Sequence, residues 1–358
     1  MKKNILILLI SLFIIGCATH NTPDTQQPNK VFSNKVEVFV DQSGIFYPNN
    51  WEENYGRPCK IYCKNKSYSL KQIAKKQTEE KQTEEKQIDL NNDLSSSTSS
   101  ILNNIKKYLH DKKRIFILVH GYNNDVKESR ENYKKIEDII KFNSDDGIVE
   151  FYWDGLVGQV IGKLAVWNNA CGYSQLAGIL GLRQVLNQIN NKEIFIISHS
   201  RGASVLLSSM SNPPFNKKFA KETKSFHGID TVQPPLKNLN NNIHMILLAP
   251  AIGAIDFKNV NYSKGNNSFR DLGQQLKSID YTINKKDWVL KKYLLGGKFN
   301  TTELGYKKEI GENILKSYLN IKMVAKNVSN RKHGHDFKKY IDDPEFIEIL
   351  NSWKIQTK

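Results

Sequence analysis

The chain has 358 residues, enough for one large domain with accessory elements, and sets 52 lysines and arginines against 36 acidic residues for a formal charge of +16. That balance suits an anionic lipid surface, but no nucleic-acid motif accompanies it, so nucleic acid is not expected as a partner. The sequence also lacks a glycine-rich phosphate loop and a metal-ligand cluster, so neither a cofactor nor a metal is expected.

Met1-Lys2-Lys3 precedes an apolar run from Ile5 to Ile15, broken only by Ser11, and then Gly16-Cys17. The run is short for a membrane span and has the shape of a secretory signal. Ile14-Ile15-Gly16-Cys17 resembles the bacterial lipobox. The resemblance implies removal of residues 1–16, lipid on Cys17 and a place in the bacterial cell envelope, at the outer membrane in a Gram-negative cell. Residues 17–34 hold Pro23 and Pro28 among polar residues and read as a flexible tether. Alternation from Lys35 to Asp41, a turn at Gln42-Ser43-Gly44 and a second apolar stretch predict a β-meander over 35–70. An exported chain could pair Cys59 with Cys63, leaving Cys171 over and buried. Residues 71–99 are charged and nearly repetitive, with Lys-Gln-Thr-Glu-Glu at 76–80 and again at 81–85, and read as a solvated linker.

From about residue 100 the pattern becomes regular. Ser100 can cap a helix that places Ile101, Leu102, Ile105 and Leu109 on one face. Arg114 to Val119 reads as a buried strand ending in His120-Gly121-Tyr122-Asn123-Asn124. A helix over 129–142 and a strand over 148–153 follow, and Asp154 to Gly158 is a loop where ligand-facing residues can gather. Leu176, Ile179, Leu182, Val185, Leu186 and Ile189 predict an amphipathic helix over 174–190.

Ile194-Phe195-Ile196-Ile197 then runs without alternation into Ser198-His199-Ser200-Arg201-Gly202, and a helical run begins at once at Ala203. A strand buried on both faces, turning this tightly into a helix, puts Ser200 at the apex of a strained turn. Small Ser198 and Gly202, two places to either side, let the strand and helix pack closely. Residues 211–242 hold four prolines and are too long for an ordinary connection, which suggests a lid or a surface insertion. Strands are expected at 244–251, at 278–283 before Asn284-Lys285-Lys286-Asp287, and at 322–328 before His333-Gly334-His335-Asp336. Two short helices close the chain, the second capped by Asp343 with Pro344 at its first position.

Strands alternating with helices predict an α/β fold, a doubly wound and mostly parallel sheet with a small N-terminal β segment. Gly121, Ser200, Asp287 and His335 all follow strands, so they should converge at one sheet edge. From about 100 to 358 the chain resembles α/β-hydrolase-fold serine hydrolases, in particular a bacterial group with a His-Gly-Tyr/Phe-Asn-Asn loop. That family's order of nucleophile, acid and base falls on Ser200, Asp287 and His335. His333 stays open as the alternative base, and Asp280, within its strand, is the rival acid. The resemblance implies an oxyanion hole from the N–H groups of Tyr122 and Arg201, with His120 holding the loop. Ser198 stands where the family's elbow has its first glycine.

The implied activity is cleavage of a carboxylic ester through an acyl-enzyme by a membrane-anchored serine hydrolase. Alternatives are the same triad acting on an amide, thioester or phospholipid, or a non-catalytic envelope lipoprotein that keeps the fold for binding. The sequence leaves the oligomeric state open.

Overall fold

The unalternating apolar runs pair with one another, all in the same direction. The computed structural model describes residues 18–58, 68–80, 90–158, 162–263, 265–291, 301–331 and 333–358. Cys17, Cys59 and Cys63, and so the lipidation site and the candidate disulfide, lie outside the described residues; Cys171 is free and buried. The strands are β1 (Ala18–Thr19), β2 (Lys35–Val40), β3 (Arg114–Val119), β4 (Asp146–Trp153), β5 (Val157–Gly158), β6 (Glu193–His199), β7 (Asn242–Leu248), β8 (Leu276–Ile283) and β9 (Lys322–Asn327). Seven of them form one parallel sheet in the order β2-β4-β3-β6-β7-β8-β9.

Each central strand is buried on both sides, as an all-parallel sheet requires. Alternate residues of β3, β6 and β7 serve the two faces. Ile115, Ile117, Ile194, Ile196, Met245 and Leu247 pack toward the helices Gly162–Leu176 and Gly202–Met210. Phe116, Leu118, Phe195, Ile197, Ile246 and Leu248 pack on the other face with Tyr133, Ile136, Tyr340, Phe346 and Ile349. Each such side chain taken from water is worth about 1.5–3 kcal/mol, so the two layers supply the main drive for the fold.

From β3 the chain steps to β4 on one side, then crosses back to β6 on the other and continues outward to β9. The strand order therefore reverses between the carboxyl ends of β3 and β6, where a doubly wound sheet opens its crevice.

Three N-terminal expectations change. Among its described residues, the stretch expected as a β-meander over 35–70 gives one strand, β2, which lies parallel to β4 at the sheet edge, followed by a short helix at Trp51–Tyr55. Its Phe39 ring stacks on Tyr152 at 4.4 Å, so the segment belongs to the main core. Part of the stretch read as a solvated linker is helical, at Leu70–Glu80 and at Leu90–Leu109. The second helix starts eleven residues earlier than the Ser100 cap implies, because Leu90 and Leu94 continue the buried stripe of Ile105 and Leu109. Its serines face outward and bond back to the helix, Ser95 Oγ to Asn91 O at 3.0 Å and Ser99 Oγ to Ser95 O at 2.9 Å.

The residues expected as a flexible tether are packed instead. Asn29 accepts from the Phe39 N–H at 2.6 Å and donates to Tyr47 O at 2.6 Å, while Trp51 Nε1 donates to Thr25 O at 3.0 Å. The helix expected over 174–190 begins earlier, at Gly162, and passes through a π-helical turn at Ala177–Leu182 before ending at Leu186. The 211–242 segment contains a helix, Lys217–His227, and is pinned by buried Arg183, which bonds to Asn212 Oδ1 at 2.9 Å and to Pro234 O at 2.7 Å. No described helix is long and apolar enough to cross a membrane.

Candidate active site

Ser200 is held at φ +52°, a left-handed conformation rare for a side chain with a Cβ. The end of β7 and the segment just after it hold the turn from both sides. The Ser200 N–H donates to Leu248 O at 2.9 Å, and Ser200 O accepts from the Ala251 N–H at 3.1 Å. Gly202 is the small residue the turn demands, because a Cβ there would stand 2.6 Å from His120 O. The helix Gly202–Met210 starts directly after Arg201, so its amino-terminal dipole points at the serine.

His335 Nε2 lies 2.7 Å from Ser200 Oγ, and its Nδ1 lies 2.7 Å from Asp287 Oδ2. An ionised Asp287 can only accept, so Nδ1 carries the proton and Nε2 is left to accept from the serine hydroxyl. The three side chains are 135 and 48 residues apart in sequence, and the strand ends bring them together. Asp287 is fully buried and well satisfied. Its Oδ1 accepts from the Val289 N–H at 2.9 Å and the Leu290 N–H at 3.2 Å, and its Oδ2 also accepts from the Tyr340 hydroxyl at 3.1 Å. Asn284 Nδ2 in turn donates to the Tyr340 oxygen at 2.9 Å.

The His335 ring has a floor. His199 packs 4.9 Å from the His335 ring centroid and stacks on Phe337 at 4.6 Å. Burial holds the His199 pKa well below the usual histidine range, so a second positive charge does not form beneath His335. His335 itself precedes Asp336, which caps the helix Phe337–Ile341 by accepting from the Lys338 N–H at 3.0 Å.

The loop after β3 passes directly over the elbow. A Cβ on Gly121 would meet Ser200 Cβ and His199 Nδ1, each at 2.9 Å. His120 is fully buried beneath the loop. Its Nε2 accepts from the Trp153 N–H at 3.1 Å, so its Nδ1 is the protonated nitrogen and donates to Gly121 O at 2.7 Å. Burial pushes its pKa down to about 4, and the ring is a neutral brace. The Tyr122 ring meets Trp167 edge-on at 5.4 Å. Asn123, at φ +62°, turns the chain, and Asp125 caps the helix Val126–Ile139.

The Arg201 side chain points away from the site, fully buried, donating to Ala251 O at 2.7 Å and pairing with Asp256 at 3.3 Å. Among the alternatives, His333 pairs with Asp343 beside Arg331, and Asp280 accepts from Trp353 Nε1 at 3.0 Å within its strand. Neither bonds to Ser200 or His335. Tyr340, Asn284 and His199 were not singled out by sequence reasoning as parts of the site. Tyr340 carries a usable signal, since it is the helical residue after His335 with both a buried ring and a polar end.

The first described residues also reach this edge. Ala18 and Thr19 pair antiparallel with Gly158 and Val157. His20 Nδ1 lies 2.5 Å from Asp154 Oδ2, and the Asn21 N–H donates to Asp154 Oδ1 at 2.9 Å. The Gly158 N–H then donates to Asn123 Oδ1 at 2.8 Å, one residue from Tyr122. Among the described residues no group of three or more His, Cys, Asp or Glu could hold a metal ion.

The parallel sheet, its switch point and the strained serine between strand and helix define an α/β-hydrolase-fold protein. A family model described as an alpha/beta hydrolase of unknown function (DUF900) matches residues 95–292, more than half of the chain, and the chain belongs to that family. The comparison with curated proteins finds no match. Among solved structures, an uncharacterized protein from Pseudomonas aeruginosa is similar at 10% identity with a TM-score of 0.24, over 65% of this chain and 44% of that one. The chain thus spans less than half the length of that protein.

Proposed function

We propose that this chain is a serine hydrolase that cleaves a carboxylic ester through an acyl-enzyme. The observation that carries the reading is the 2.7 Å approach of His335 Nε2 to an Oγ that sits on a φ +52° elbow. A serine hydroxyl is inert at its own pKa and needs a base at hydrogen-bonding distance. In the proposed reaction Ser200 Oγ attacks the ester carbonyl as its proton passes to His335 Nε2. Asp287 stabilises the imidazolium and fixes its orientation. In this reading the N–H groups of Tyr122 and Arg201 would stabilise the oxyanion. Collapse breaks the bond to the leaving oxygen, which takes the proton from His335, and water repeats the sequence to free the acid and regenerate the serine. Membership of a hydrolase-fold family is consistent with this chemistry.

The same proposal places the protein in the bacterial cell envelope, anchored by lipid on Cys17. Mass spectrometry of the N-terminal peptide is expected to find a lipid-modified Cys17, and Cys17→Ser to release the protein from membranes. A fluorophosphonate probe is expected to label Ser200, with labelling and ester turnover both lost in Ser200→Ala. Labelling that persists in that variant overturns the assignment.

A further inference from the structure

We propose that the N-terminal clamp presses the mouth of this site against the membrane that holds the anchor, so that the ester cleaved is an acyl ester of a membrane lipid. The proposal rests on the serine-hydrolase reading and on lipidation at Cys17. Its own basis is what happens immediately after that cysteine. Were residues 18–34 a free tether, they could let the domain roam up to about 55–60 Å from the bilayer. Instead the ladder begins at Ala18, the very next residue, on Gly158. From there Gly158 bonds to Asn123, and Gly121 two residues earlier lies against Ser200. Summed along that path, Ala18 stands within roughly 25 Å of Ser200. Anchoring lipid on the preceding residue therefore fixes which edge of the molecule meets the bilayer.

The ladder is reinforced by groups that a tether would have no use for. Asp154 is fully buried and takes both His20 and the Asn21 N–H, while Asn21 donates to Trp153 O at 3.3 Å. The clamp is thus fastened to the strand β4 that also braces His120.

A second observation comes from the other side of the site. Trp288, directly after Asp287, is 59% exposed, and Lys285 and Lys286 just before it are exposed as well. All three follow β8, whose carboxyl end points the same way as those of β3, β4 and β6. An exposed tryptophan beside lysines suits the headgroup layer, where the ring meets the acyl boundary and the ammonium groups meet phosphate. Asp125, Glu128 and Asp336 are exposed on the same edge, so its charge is mixed and the covalent anchor does the orienting.

In the bilayer the acyl ester lies at the boundary between headgroup and chain, within reach of a site held at that surface. Attack by Ser200 Oγ on the acyl carbonyl would release the lipid's hydroxyl, which takes its proton from His335. Water then returns the acyl group as a fatty acid.

The test uses the full-length lipidated protein in phospholipid vesicles, alongside a form with a flexible 20-residue Gly/Ser spacer inserted between Cys17 and Ala18. The spacer keeps recruitment to the vesicle and removes orientation. Both forms are expected to hydrolyse a soluble short-chain ester equally and to label with fluorophosphonate, while fatty-acid release from vesicle phospholipid falls about tenfold or more with the spacer. Brominated-chain phospholipid is expected to quench a fluorescence component that Trp288→Phe removes, and to quench it less in the spacer form. Equal fatty-acid release by the two forms overturns the proposal, as does a native form that turns over the soluble ester and leaves vesicle lipid intact. A native form that neither labels nor cleaves the soluble ester overturns the serine-hydrolase reading instead, and this proposal with it.

Discussion

The Tyr340 hydroxyl and His335 Nδ1 share one oxygen of Asp287, at 3.1 Å and 2.7 Å. The phenol comes from the helix that His335 itself introduces, so the imidazole and the group that steadies its partner sit on one short stretch of chain. Tyr340→Phe removes one hydrogen bond to a buried carboxylate, a loss of about 1.5–3 kcal/mol for a charged acceptor. The expected result is a kcat lower by about tenfold with KM little changed, measured on a soluble ester. An unchanged kcat would show that Asp287 needs no third support.

Gly121 offers a sharper probe. A methyl group there would meet Ser200 Cβ and His199 Nδ1 at 2.9 Å, and neither lies at the end of a flexible side chain. Gly121→Ala is expected to push the loop off the elbow and lower kcat/KM by about 100-fold or more, on the scale of losing an oxyanion donor. Circular dichroism should show the fold retained.

The Arg201 guanidinium and Asp256 carboxylate are both buried, at 0% and 2% exposure. Arg201→Met leaves the carboxylate without its countercharge, and removing one partner of such a pair costs about 3–5 kcal/mol. Urea unfolding is expected to show that loss. Replacing both partners, as in Arg201→Met with Asp256→Leu, should recover part of it.

Two buried neutral histidines predict the acid side of the stability profile. Burial depresses the His120 pKa from 6.5 to about 4 and holds His199 low as well. Above pH 6.5 both states are neutral and their contribution is complete. As pH falls from 6.5 toward 4 the unfolded chain takes up protons that the folded chain refuses, so stability declines through that window. For His120 alone the loss is about 3 kcal/mol. Urea midpoints measured between pH 7.5 and 4.5 should fall accordingly, and His120→Asn, although less stable throughout, should show a shallower slope.

Much of the fold was legible because parallel strands buried on both faces write themselves as unbroken apolar runs. Phe116 to Val119 and Ile194 to Ile197 could be little else. The candidate site residues could be listed for a related reason: each follows a strand of the same parallel sheet, and the carboxyl ends of parallel strands share one edge. What escaped was carried by long-range polar contacts, which leave no period in the sequence. Nothing local marks Asn29 as the bracket between Phe39 and Tyr47, or His20 as the partner of Asp154. The Ser-rich helix hid differently. Its apolar residues recur at helical spacing, but the serines between them mimic a linker until Leu90 and Leu94 are seen to share a stripe with Ile105.

The pairing of β2 with β4 has a consequence for how the molecule can be divided. Six residues of β2, Lys35 to Val40, hydrogen-bond along Ile148 to Trp153, and β4 is buried along its whole length. The matched family region begins at residue 95, some sixty residues after that strand starts. A fragment cut at 95 would expose a ladder of unpaired N–H and C=O groups flanked by Val149, Phe151 and Trp153, with Glu150, deprived of Lys35, the one charge along it. Such an edge is a template for other chains, so the fragment should self-associate, whereas a piece that retains Lys35 to Val40 closes its own border.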